Sequence, residues 1–107
     1  DFIFVKDIVA ANVFLASQHE AVGVYNVAYG NSITVNELAE LIRARTGTRS
    51  EVQHLPERPG DVRHSRAAVD KLRSAGFEPQ YDFATGLDQT IAFFSGDDIS
   101  QVCNTER

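Results

Sequence analysis

Methionine and tryptophan are both absent from the 107 residues, and cysteine occurs once, at Cys103. A lone cysteine excludes an internal disulfide framework. Positive charge is in the minority: 10 Lys and Arg, scattered along the chain, stand against 15 Asp and Glu, for a net charge of −5. That balance weighs against nucleic acid or an anionic membrane as partner. Long apolar runs are missing too. The longest, from Ile8 to Ala16, is interrupted by Asn12 and falls far short of a membrane span. The opening residues carry no basic-then-apolar leader, so a cytoplasmic setting is expected. With no methionine and a start at Asp1-Phe2-Ile3-Phe4-Val5, which reads as mid-strand, the sequence is expected to be a piece of a longer protein. What is present is ordinary globular stuff: 43% hydrophobic and 23% charged residues, enough for one modest core.

Phe2 to Val5 is a short aromatic and β-branched run that reads as a strand. Asp7 then sits where it could cap a helix over about 8–18, whose apolar positions recur at Ile8, Ala11 and Leu15. Gly23 to Val27 reads as a second strand. The clearest start signal is Thr34-Val35-Asn36-Glu37, a capping box in which hydroxyl and carboxylate satisfy orphan amides reciprocally, with Gly47 as the left-handed stop. Ser50 to Leu55 reads as a third strand and 56–61 as a loop holding two of the three prolines. Ser65 is placed to cap a helix over about 66–75, and Asp82 to cap a last helix ending near Gly96. The expected fold is α/β, with about three short strands and four helices in residues 1–96 and a polar, frayed tail over 97–107.

Three familiar chemistries have no support. His19, His54 and His64 lie too far apart for a metal-ligand pattern. No serine sits in a G-x-S-x-G elbow. The glycines at 23, 30, 47, 60, 76, 86 and 96 never form G-x-G-x-x-G or a P-loop, so the chain by itself has no dinucleotide cradle. One dense constellation remains, in 58–66: Arg58, Arg63 and Arg66 accompany Asp61, His64 and Ser65, with Pro59 and Gly60 fixing the backbone. Guanidinium groups grip phosphate through paired donors, and a carboxylate accepts from vicinal sugar hydroxyls. The residues alone favour a second reading, a polar surface loop whose Arg and Asp pair with each other in solvent, since such loops are common.

The order of motifs resembles a known family. The opening DFIFVKDIVAAN is similar to the R-D-F-x-x-V-x-D-V-x-x-A segment of extended short-chain dehydrogenase/reductases that act on nucleotide sugars. GVYNVAYGNSITVNELAELI resembles their Y-N-V-G-x-G-x-x-x-S-V-x-E-L stretch. RPGDVRHSRAAVDKLRSAGFEPQYDFATGLDQTIAFF resembles their R-x-G-D…L-G-[FWY]-x-P…G-L-x-x-T ending. The member type most resembled is the UDP-sugar 4-epimerase. The resemblance covers about 1–94 and implies the C-terminal, substrate-binding portion of an extended Rossmann-type fold.

It further implies that a missing N-terminal half carries NAD, the glycine fingerprint and a catalytic Tyr-x-x-x-Lys pair, so that this chain holds no catalytic residue. Arg58 resembles the arginine on the UDP diphosphate, Asp61 the acid on the ribose hydroxyls, and Ser65 a sugar-pocket position whose small size leaves room for an N-acetyl group. Phe2 falls at an aromatic position near the nucleotide or in the core. The expected partner is a UDP-sugar, the full-length protein being a homodimer and the isolated chain self-associating. Two other readings stand beside the 4-epimerase: a 4,6-dehydratase or decarboxylase on the same fold, and a non-catalytic interaction module that has lost its ligand.

Overall fold

The computed structural model describes residues 1–96. Within them the chain forms four helices: α1 Val5–Ser17, α2 Val35–Thr46, α3 Asp70–Ser74 and α4 Phe83–Ser95. Two of them start and stop where local chemistry says they should. At α2 the Thr34 hydroxyl accepts from Glu37 N at 3.1 Å, and the Glu37 carboxylate accepts from Thr34 N at 2.8 Å. Gly47 ends the helix at φ +64°. At α4 the Asp82 carboxylate accepts from Thr85 N at 2.7 Å, and Gly96 closes the helix in the left-handed region. The amide bonds to Glu37 and Asp82 favour their ionised forms and hold both carboxyls below the usual range.

The other two helices depart from expectation. α1 begins at Val5, three residues early, with Phe4 at its N-cap and no side-chain cap. Asp7 is therefore not a cap. It lies in the first turn, completely buried, and accepts from the backbone N–H groups of Gln80 (2.8 Å) and Tyr81 (3.2 Å). Two distant orphan amides are a stronger demand on a carboxylate than its own helix terminus. α3 is only five residues long, with Val69 at its N-cap, so Ser65 caps nothing. Residues 66–68 are occupied elsewhere: the Arg66 guanidinium donates to Gly30 O at 3.2 Å, Ala67 N to the Asp1 carboxylate at 3.4 Å, and Asn26 Nδ2 to Ala68 O at 3.2 Å.

None of the three expected strands forms among the described residues. A strand exists only where its N–H and C=O groups meet those of a neighbour. At 22–24 the place of that neighbour is taken by Lys71. Its ammonium donates to the carbonyls of Val22 (3.2 Å) and Val24 (2.9 Å) and lies 4.0 Å from the centre of the Tyr25 ring. The expected tail over 97–107, with Cys103, lies outside the described residues.

The core is small. Ala11, Leu72 and Phe77 are buried together, with Phe14 stacked obliquely on Phe77 at 5.6 Å between ring centres. A second packing line joins the entry to α1 to the body of α4. There Gly86 is required, because a Cβ at that position would stand 2.9 Å from Phe4 Cβ. The α2 and α4 helices are bridged on their outer side by the Arg45–Asp88 ion pair. Among the described residues nothing covers one face of α1: Val5, Val9 and Val13, one helical turn apart, are each more than half exposed.

Candidate functional site

The loop from Glu57 to Arg66 turns at Gly60, whose φ of +91° is one that an L side chain resists. The turn is closed by Asp61 N donating to Arg58 O at 3.2 Å. Its effect is to fold Arg58 and Asp61 onto each other, guanidinium Nε to carboxylate at 3.4 Å. Their side chains remain 85% and 53% exposed. A long, solvent-open contact of this kind is weak. A ligand that offers phosphate to one partner and hydroxyls to the other can displace it at small cost.

A tighter pair frames the turn. Arg63 grips Glu57 with both forks, at 2.8 and 2.7 Å. This bidentate contact lowers the Glu57 carboxyl below the ordinary range and raises the Arg63 guanidinium further above its own. Sequence reasoning missed Glu57; the available signal was an acid six residues before an arginine, astride a Pro-Gly turn. Ser65 is exposed, and its carbonyl accepts from the Asp1 nitrogen at 3.1 Å. Thus Arg58 and Asp61 are brought together by one turn, while Ser65 is held from the chain's beginning. His64 is exposed as well.

An apolar cavity of about 640 Å³ opens elsewhere, between α2, α4 and the entry to α1. Phe2, Phe4, Leu38, Ile42, Leu87 and Phe93 line it, with the Lys6 ammonium donating to Gln89 Oε1 at 2.8 Å. None of Arg58, Asp61 and Ser65 borders it. Phe2, expected near the nucleotide or in the core, packs here, 6.2 Å from the Phe83 ring centre. Among the described residues no group of three or more His, Cys, Asp or Glu stands ready for a metal ion. No described helix is long and apolar enough to cross a membrane.

No family model matches the chain. Its backbone superposes with a TM-score of 0.82 on a UDP-N-acetylglucosamine 4-epimerase from Methanobrevibacter ruminantium M1, solved in complex with UDP-N-acetylmuramic acid. The two are 40% identical over 90% of this chain and 31% of that one. The chain belongs to the extended short-chain dehydrogenase/reductases of the epimerase/dehydratase family, and corresponds to their C-terminal part.

Within that family it is similar to the UDP-glucose 4-epimerase of Mycolicibacterium smegmatis, 33% identical over 88% of this chain and 30% of that protein. It is equally similar to UDP-glucuronic acid decarboxylase 1 of Danio rerio, 33% identical over 88% of this chain and 22% of that protein. The chain thus spans under a third of the length of the relatives it matches. The likeness makes the chain part of an α/β, Rossmann-type fold, of which the described residues form four helices and no strand.

Proposed function

We propose that this chain is the nucleotide-sugar-binding portion of a UDP-sugar 4-epimerase, with residues 1–96 as the binding subdomain. Arg58 holds the diphosphate, Asp61 accepts from the ribose hydroxyls, and Ser65 lines the sugar pocket. The observation that carries this reading is the Gly60 turn, which sets a guanidinium and a carboxylate side by side in solvent, paired only weakly. The order of family motifs along the chain supports it as well. A second reading, a decarboxylase or 4,6-dehydratase on the same scaffold, is favoured by the decarboxylase relative. It differs in residues outside this chain and asks the same work of Arg58 and Asp61.

NAD is the family's hydride carrier, and the residues present do not fit it. The seven glycines never form its fingerprint, and no Tyr-x-x-x-Lys occurs. The chain's part in the reaction is therefore anchorage. Fixing UDP while leaving the hexose loosely held lets binding energy from the nucleotide serve a sugar that must turn over. The isolated chain is accordingly expected to show no interconversion of UDP-glucose and UDP-galactose. A cytoplasmic setting and a homodimeric full-length protein belong to the same proposal.

The exposed Val5–Val9–Val13 face leads the isolated chain to self-associate. A monomer of 11.8 kDa in light scattering would count against that. The binding reading is tested by titrating UDP into the chain and into Arg58→Ala and Asp61→Ala. Each substitution is expected to weaken binding at least tenfold; equal affinities in all three would remove the loop from the site.

Ser65 carries the substrate claim. A small exposed side chain leaves space for an N-acetyl group, so the full-length protein is expected to accept UDP-N-acetylhexosamines beside UDP-hexoses. Ser65→Tyr should then lower kcat/KM for the N-acetylated sugar by roughly 5- to 150-fold, the equivalent of about 1–3 kcal/mol of overpacking, and spare UDP-glucose. Because Ser65 caps no helix, equal losses on both sugars can no longer be put down to a lost cap and would refute the pocket assignment.

A further inference from the structure

The Asp1 carboxylate is the meeting point of two loops that lie far apart in sequence. It accepts from Tyr29 N at 3.1 Å, from Gly30 N at 3.1 and 3.2 Å, and from Ala67 N at 3.4 Å. The nitrogen of the same residue donates to Ser65 O at 3.1 Å. A third tie runs beside these, from the Arg66 guanidinium to Gly30 O at 3.2 Å. Gly30 suits the arrangement twice over. Its φ of +80° belongs to glycine, and a Cβ there would stand 2.9 Å from Val69 Cγ2. Residues 65–67 are thus fastened to 29–30 with one carboxylate as the hub, while the Glu57–Arg63 fork braces the other end of the loop.

We propose that Asp1 is a positioning residue for the nucleotide-sugar loop, holding its C-terminal end so that Asp61 and Ser65 present a fixed surface to the ligand. The inference rests on the UDP reading of Arg58 and Asp61 given above. Its physical basis is the cost of ordering a loop on binding: a loop fastened in advance leaves less freedom to lose when the ligand arrives. Asp1 itself touches no ligand in this scheme. A carboxylate is needed because two oxygens serve two segments, with one turned to 29–30 and the other shared by Gly30 and Ala67. An amide at this position keeps one acceptor and turns an N–H pair toward the other amides, so it can satisfy one segment only.

The test compares the whole chain with Asp1→Ala and Asp1→Asn, reading UDP affinity by titration and amide exchange residue by residue. Asp1→Ala is expected to speed exchange at Gly30 and Ala67 and to weaken UDP binding about tenfold. Amides inside α2 and α4 should keep wild-type exchange rates. Asp1→Asn should restore protection on one of the two segments and fall between the others in affinity. Unchanged UDP affinity in Asp1→Ala, while Arg58→Ala still loses it, overturns the positioning role and leaves the binding reading standing. A wild-type chain that fails to bind UDP breaks the binding reading and this inference with it. Faster exchange throughout α2 and α4 in Asp1→Ala would make Asp1 a general fold determinant and likewise overturn the proposal.

Discussion

Asp7 and Asp61 are the same side chain put to opposite uses. Asp7 is wholly buried, and its oxygens accept from Gln80 N and Tyr81 N. Asp61 is half exposed and, among the described residues, its carboxylate meets only Arg58, across 3.4 Å. The first carboxylate is committed: it satisfies amides that would otherwise be orphaned, and a ligand could not reach it without unfolding the contact. The second is available. Its partner is equally open to water, and the pair loses little when a ligand comes between them. Of the two, only the weakly partnered aspartate is free to do chemistry on something else. The tightly partnered one is what keeps the start of α1 against the segment leading into α4.

Removing Asp7 should give the largest effect in the molecule. Asp7→Ala removes a fully buried carboxylate and leaves the part-buried amides of Gln80 and Tyr81 unpaired, at about 1–3 kcal/mol each, which is a large share of the stability of a domain this size. Urea unfolding should show a loss of roughly 2–6 kcal/mol, with Asp7→Asn milder because one acceptor survives. A loss below about 0.5 kcal/mol would place Asp7 with Asp61 and dissolve the contrast. By comparison, Arg58→Ala and Asp61→Ala should change stability by no more than about 0.5 kcal/mol, whatever they do to UDP affinity.

A second contrast of intermediate size involves two glycines. Gly86 has helical backbone but no space, since Phe4 Cβ stands 2.9 Å from where its own Cβ would be. Gly60 has space, with nothing within 4 Å, but a φ of +91°. Gly86→Ala should cost about 1–3 kcal/mol by overpacking the Phe4 contact. Gly60→Ala should cost about 1–2 kcal/mol through backbone strain. The two are told apart by ligand binding: Gly60→Ala disturbs the Arg58–Asp61 juxtaposition and should weaken UDP, whereas Gly86→Ala should leave its affinity unchanged. Matching losses of affinity would show that the loop and the α4 packing are not independent.

What could be read from the sequence follows the same division between near and far. α2 and α4 were legible because their caps are made within three residues, Thr34 with Glu37 and Asp82 with Thr85. The pairing of Arg58 with Asp61 was legible for the same reason, with Gly60 between them. Asp7 looks like a cap in the sequence because its partner amides lie 73 and 74 residues away. The cap assigned to Ser65 failed because the segment after it is drawn off to Gly30 and Asp1, 36 and 66 residues distant. The three expected strands have strand-like composition, yet composition cannot supply the neighbour that a ladder requires.

Smallest, and most local, is the acid response of the Glu57–Arg63 fork. Because Arg63 stabilises the ionised form, the Glu57 carboxyl titrates below the ordinary glutamate value of about 4.3. A carboxyl whose pKa is lower when the loop is formed adds stability that is fully present above the ordinary value and disappears as pH falls through the lowered one. The loop brace should therefore hold at neutral pH and release only in the acid range, below the ordinary glutamate value. The helix caps at Glu37 and Asp82 are lowered in the same sense and respond in an overlapping window, so global unfolding cannot isolate the loop. Following the Glu57 side-chain carboxyl by NMR can. In the wild-type chain its midpoint should lie below the ordinary glutamate value, and in Arg63→Gln it should return to that value. A midpoint that ignores the substitution would mean that the fork is not held in solution, leaving the loop to the Gly60 turn, the Asp1 hub and the Arg66–Gly30 tie.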